Sequence, residues 1–316
     1  MTLSNNRNLT LAVILLLLIG AIWPSHANDL AVASAGKIKR FEDFSSQYVP
    51  ARNIDVWLPS NYHPDVKYDV LYMHDGQMLF DADITWNNQE WRVDEVASKL
   101  IQSGQVRPFI VVGIWHNNEA RYPEYFPEKV FRELSGFDRL SIKSKLIWQS
   151  KSLAPVGDFF YADRYLQFIT TELMPFIESK FSVNTGKQHT FIAGSSMGAL
   201  ISWYAVFEYP NTFGGAASLS THWPGMYDVD NPLPEAFANY IKENLSNLSE
   251  HKLYFDLGDQ TLDAKYPSFQ KNIDAILEKD YPTSLWKSEF FPGHKHDEAS
   301  WSRRLHIPLT FLFGKR

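Results

Sequence analysis

Apolar and polar residues trade places along this chain in two rhythms. Ile54-Asp55-Val56-Trp57-Leu58 alternates sides and stops at Pro59, as a strand does. Tyr68 to Met73 reads as a second strand, and Glu90 to Ile101 has helical spacing through Trp91, Val93, Val96 and Leu100. Phe109 to Ile114 is an unbroken apolar run after a proline, the pattern of a parallel strand buried on both faces. A helix is predicted from Tyr165 to Phe181 with a kink at Pro175. Strands are predicted at Thr190–Ala193, Gly215–Leu219, Leu253–Leu257 and Leu285–Phe291. Helices are predicted at Ala199–Val206, Leu233–Asn244, Phe269–Leu277 and Trp301–Phe313. Such alternation predicts an α/β domain with a mostly parallel central sheet and helices on both faces.

The two ends of the chain read differently. Arg7, the apolar stretch Leu9 to Trp23 and the closing Ser25-His26-Ala27 have the layout of a secretory signal peptide, so residues 1–27 are expected to be removed. The apolar stretch is short for a membrane span, and no integral span is expected after cleavage. Residues 28–50 read as a polar lead-in, and 51–316 as one domain. Residues 126–162 are irregular and mixed in charge, either a cap over a pocket or a surface excursion.

There is no cysteine, which excludes disulfides, thiolate metal sites and a cysteine nucleophile. An exported chain of this kind relies on its core, and the remaining length is ample for one. Losing Arg7 with the leader takes the net charge from −6 to −7. No basic run stands out, so nucleic acid and anionic membrane are not expected partners.

The sharpest chemical signal is Gly194-Ser195-Ser196-Met197-Gly198. It lies between a predicted strand and a predicted helix, the context of a nucleophile elbow. Glycines permit the tight turn that lifts the Ser196 hydroxyl above the sheet. The Met197 amide, at a helix N-terminus, then faces any oxyanion that forms. A second donor is expected after an early strand, and the Gln77 amide in Met73-His74-Asp75-Gly76-Gln77 fits. That Asp-Gly turn has a structural reading as well, compatible with the first.

A serine needs a base, and a base needs an orienting carboxylate. His294 and His296 both follow the last predicted strand, and spacing alone does not choose between them. Asp263 is the preferred acid, Asp259 the reserve, and Asp256 is read as structural. His294-x-His296 with Asp297 and Glu298 also offers metal ligands. With no second ligand cluster and no H-E-x-x-H, neither a metal nor another cofactor is expected.

Taken in order, several stretches resemble one family. They are Val70 to Gln77 with Leu79-Phe80-Asp81, Gln89-Glu90-Trp91, Val111 to Ile114, and Arg121 with Glu124-Tyr125 and Pro127. They continue with Ala193 to Leu200, Leu219 to Trp223, and Gly293-x-x-His296-x-Glu298-x-x-Trp301. The chain resembles the α/β-hydrolase esterases that include enterochelin, feruloyl and acetyl-xylan esterases, S-formylglutathione hydrolases and mycolyltransferases. The resemblance implies an α/β-hydrolase fold, Ser196 as nucleophile and His296 as base, with His294 at a variable position. It places the acid five residues after Gly258, at Asp263. Ala199 departs from it, since relatives often carry glycine there. His222 and Trp223 are expected to face the pocket; Trp91, Arg121 and Tyr125 are weaker binding candidates, each read first as structural.

The expectation is therefore a periplasmic or secreted serine esterase acting on a small-molecule or glycan ester, including siderophore esters. An acyltransferase using the same acyl-enzyme, a carbohydrate- or siderophore-binding protein on this scaffold, and a metallohydrolase are the rivals.

Overall fold

The computed structural model describes residues 30–117, 119–150 and 159–315. The expected leader, 1–27, lies outside the described residues, as does part of the expected 126–162 excursion.

Eight strands form one sheet. They are β1 (Lys37–Phe44), β2 (Arg52–Leu58), β3 (Asp69–His74), β4 (Phe109–Ile114), β5 (Thr190–Ser195), β6 (Gly215–Leu219), β7 (Lys252–Leu257) and β8 (Trp286–Phe290). Their spatial order is β1-β2-β4-β3-β5-β6-β7-β8. β2 runs antiparallel to both neighbours, and every pairing from β4 to β8 is parallel.

Strand periodicity divides the core between two faces. Val70, Tyr72, Ile110 and Val112 pack on one side with α5 (Ala162–Phe168), α6 (Met174–Lys180), α7 (Met197–Glu208), α8 (Leu233–Asn244) and α9 (Pro267–Asp280). Leu71, Met73, Phe109 and Val111 pack on the other with α1 (Val93–Gln102) and α11 (His306–Phe313). α7 is buried from Met197 through Phe207, which is why its sequence is apolar all round. Among the described residues, no helix is long and apolar enough to cross a membrane.

Four local features differ from the sequence expectation. The polar lead-in contains β1, an edge strand whose outer positions face solvent and so read as charged. The long helix at 165–181 is α5 and α6 joined by a π-helical turn at Ile169–Leu173. Pro175 has no N–H for the carbonyl four residues back, and the widened turn precedes it. The helix expected at 301–313 breaks at Leu305 into α10 (Glu298–Arg304) and α11, three residues before Pro308. The irregular stretch after α2 (Arg121–Tyr125) holds α3 (Glu128–Glu133) and α4 (Gly136–Ser150), and Val130, Phe131 and Ile142 join the core.

Candidate active site

Loops leaving the carboxyl ends of β3, β5, β6, β7 and β8 carry most of the reactive side chains, on the edge where open α/β sheets bind ligands. Ser196 sits between β5 and α7 at φ 57°, ψ −120°. A non-glycine residue held there stores roughly 1–3 kcal/mol of strain. Its backbone is tied down. Ser196 N–H donates to Leu219 O at 3.0 Å, and Ser196 O accepts His222 N–H at 3.2 Å. Contact requires glycine at 194 and leaves little room for a side chain at 198. A Cβ on Gly194 would lie 2.8 Å from the Gly198 carbonyl carbon, and one on Gly198 would lie 3.3 Å from His74 Cβ.

β3 and β5 are parallel neighbours, with Met73 opposite Ala193, so their two exit turns lie side by side. One begins α7 with the Met197 amide, and the other is the 3-10 turn Gly76–Met78 that holds the Gln77 amide. Among the described residues neither N–H has a protein acceptor. The Gln77 turn is rigidly supported. Asp75 has φ 56° and takes a bidentate bond from Arg121, at 2.7 and 2.8 Å. Its N–H donates to the buried Tyr125 hydroxyl at 3.3 Å. Burial opposes the Asp75 charge, yet Arg121 outweighs it and holds the carboxyl at about 2. Gly76 has no room for a side chain, since a Cβ would lie 2.6 Å from Gly113 C. Arg121 and Tyr125, read as binding candidates, thus brace this turn.

On the β7–β8 side, His296 Nδ1 lies 2.6 Å from Asp263 Oδ1. Asp263 is fully buried, and its Oδ2 accepts the Ser220 hydroxyl and the Gly258 N–H, each at 2.6 Å. Burial works to raise this carboxyl, but His296 and these donors prevail and hold it below the ordinary aspartate value. The His296 ring is flanked by Trp301 at 5.1 Å and Tyr266 at 5.7 Å, both edge-to-face. The His296 main-chain N–H donates to Thr261 Oγ1 at 2.9 Å.

The competing residues lie elsewhere. His294 Nδ1 is 3.3 Å from an Arg304 nitrogen, and the His294 carbonyl accepts the Asp259 and Gln260 amides. Asp259 is bonded to the Gly293 N–H at 2.7 Å, and Asp256 pairs with Arg304 at 2.8 Å in the interior.

His222 is half-buried, and its Nδ1 lies 2.7 Å from the Tyr266 hydroxyl. Burial first, then the charges of His296 and Arg121, push it down to about 3, so it stays neutral beside the site. Trp223 and Trp91 correct the sequence reading, because both rings turn into the core. Trp223 is 1% exposed, donates to Gln270 Oε1 at 2.8 Å and stacks on Trp203. Trp91 is 2% exposed and packs 5.2 Å from Trp301, behind the His296 ring. A tryptophan near a strand's carboxyl end gains more from burying its area than from facing a wet cleft.

Sequence reasoning overlooked Ser220. Its φ is 45°, and its buried hydroxyl donates to Asp263 while accepting Trp301 Nε1–H and Arg304 Nη2–H, both at 2.9 Å. Its one visible signal was position, directly after the strand beside the elbow.

The arrangement offers a hydroxyl on a strained turn, a carboxylate-anchored imidazole and two free backbone donors, which together suit acyl transfer. The family described as "Putative esterase" matches residues 45–134 and 147–306. Protein YbbA of Bacillus subtilis (strain 168) is 27% identical over 277 residues, 84% of this chain and 93% of that one. A ferulic acid esterase structure superposes with TM-score 0.62 and 19% identity, covering 89% of this chain and 99% of its own. An IroE-like serine hydrolase from Shewanella oneidensis gives TM-score 0.63 and 20% identity, over 88% of this chain and 80% of its own. A family match across most of the sequence, on this eight-stranded frame, makes the chain a member of that esterase family: a carboxylic-ester hydrolase with an α/β-hydrolase fold.

Proposed function

We propose that this esterase works through Ser196, His296 and Asp263 by way of an acyl-enzyme, in the periplasm or outside the cell. The observation that carries the reading is the 2.6 Å contact between His296 Nδ1 and a buried, triply bonded Asp263. An aspartate held ionised there fixes the Nδ1–H tautomer and leaves Nε2 free to accept a proton. Nε2 takes the Ser196 proton as Oγ attacks the ester carbonyl. The Met197 and Gln77 amides receive the oxyanion, each worth about 3–4 kcal/mol in the transition state. Collapse expels the alcohol, which takes the proton from His296, and water repeats the sequence on the acyl-enzyme. Neutral His222 contacts the substrate without competing for that proton.

The substrate is a carboxylic ester of a glycan, a siderophore or a simple alcohol. The leader pattern at 1–27 supports export. The ferulic acid esterase likeness places aromatic acids on glycans first in a substrate panel.

The test is labelling of the mature protein with a fluorophosphonate, the adduct mapped by mass spectrometry. Labelling at Ser196 that His296→Ala abolishes is the expected result. Folded wild type that takes no label overturns the reading. Product analysis with added alcohol or sugar separates hydrolysis from acyl transfer.

A further inference from the structure

A second feature lies behind the site, where the segment before α1 meets the chain around Ala35. Glu90, Asp94 and Glu95 each present one carboxylate oxygen within 4.8 Å of the other two. Acids at a helix start are ordinarily explained by the helix dipole. Three further facts exceed that explanation. Glu90 precedes the helix, which begins at Val93. Asp94 is 0% exposed, yet its Oδ1 has no donor beyond a proton shared with Glu95. Glu90 Oε2 and Glu95 Oε2 are likewise buried and unpartnered.

Two of the other oxygens are committed. Asp94 Oδ2 accepts Ala35 N–H at 3.0 Å, and Glu95 Oε1 accepts Arg92 Nε–H at 3.0 Å. Among the described residues Arg92 is the one cation bonded to the trio, and its side chain is 60% exposed. One turn along α1 from Asp94, the buried Ser98 hydroxyl is also without a partner. Converging buried carboxylates with so few donors repel one another and forfeit hydration.

We propose that Glu90, Asp94 and Glu95 bind one divalent, oxygen-preferring cation of the calcium type. Calcium takes oxygen ligands at about 2.4 Å, so oxygens on opposite sides of one ion lie about 4.8 Å apart, and the trio fits that limit. An all-carboxylate donor set with no imidazole or thiolate disfavours zinc and copper.

The position gives the ion a structural task. Trp91 lies between two members of the cluster region, Glu90 and Arg92, and packs on Trp301 against His296. Trp91 N–H and Val93 N–H donate to Met78 O and Leu79 O, directly after the Gln77 turn. The Ala35 bond ties in the chain before β1. A cation here clamps three segments that meet behind the site. The inference does not depend on the triad, and its failure leaves that reading untouched.

The experiment is thermal unfolding of the mature chain at pH 8, after EDTA treatment and dialysis, with and without 5 mM (roughly 100-fold above the dissociation constant sought) CaCl2. The expected result is a rise in Tm of about 4–8 °C. In Glu90→Gln/Asp94→Asn the calcium response should vanish. That variant should melt no lower than wild type in EDTA, because it removes repulsion. Two results overturn the proposal: a wild-type Tm indifferent to calcium, magnesium and manganese, or a calcium shift that persists in the double variant.

Discussion

Replacing Asp263 by Asn tests the active-site geometry most directly, because the surrounding donors dictate what the amide must do. Asp263 Oδ2 accepts two donors, Ser220 O–H and Gly258 N–H, while Oδ1 faces His296 Nδ1. An asparagine can keep its oxygen toward His296 only by turning its NH2 against the Gly258 N–H. That strands a buried backbone donor and breaks the Ser220 bond, at roughly 2–4 kcal/mol for the two together. The favoured rotamer therefore puts the oxygen on Gly258 and Ser220 and the NH2 on His296. Nδ1 must then accept, Nε2 carries the hydrogen, and the imidazole cannot take the Ser196 proton. Two to four kcal/mol corresponds to roughly 30- to 1,000-fold against the productive tautomer. Loss of the negative charge beside the forming imidazolium brings the total to about 10^4 in kcat. Hydrolysis of a chromogenic acetate ester, with circular dichroism to establish folding, supplies the assay. A folded Asp263→Asn that keeps more than a tenth of wild-type kcat would refute the argument from donors.

His296→Ala should lose about 10^4 in kcat, whereas His294→Ala should stay within about threefold, since the acid loop hangs on the His294 main-chain carbonyl; steady-state kinetics on both decides. Ser220→Ala strands the Trp301 indole and one Arg304 N–H, and urea unfolding should show a loss of roughly 2–4 kcal/mol, with kcat reduced about tenfold. Asp75 is held at about 2, below its unfolded value of 3.8, so its contribution is complete above about pH 5 and is lost as pH falls through 2. Urea midpoints across that window should record roughly 2 kcal/mol from this pair. In Arg121→Gln burial of Asp75 is opposed only by the weaker pull of His116 and His74, and the slope there should flatten or reverse; an unchanged slope would exonerate the pair.

What the sequence revealed follows from what each residue depends on. β4 and α8 match their predicted limits because an unbroken apolar run and a regular amphipathic repeat are local properties. The elbow was legible because a strand-to-helix reversal demands glycines at fixed offsets, and Gly194 and Gly198 touch backbone to backbone. β1 escaped notice because an edge strand pairs on one side and carries charge on the other. His294 and His296 differ only in which strand-end loop each meets, which is a tertiary fact. Ser220 was invisible for the same reason, since its four partners come from 36 or more residues away only once β6, β7, the loop after β7 and α10 are assembled. Trp91 and Trp223 were misread because the sequence shows that a ring stands near the carboxyl edge but not which way it turns.

The Ser196 backbone sets one more condition on this chain. Glycine would occupy φ 57°, ψ −120° without the penalty a Cβ brings, so Ser196→Gly should raise the melting temperature while ending catalysis. At this position folding and turnover pull toward different amino acids. A library selected only for heat resistance should drift to glycine there, and a library selected for turnover should restore serine at the expense of heat resistance. The identity of residue 196 in survivors would then report which pressure a population of these chains had been under.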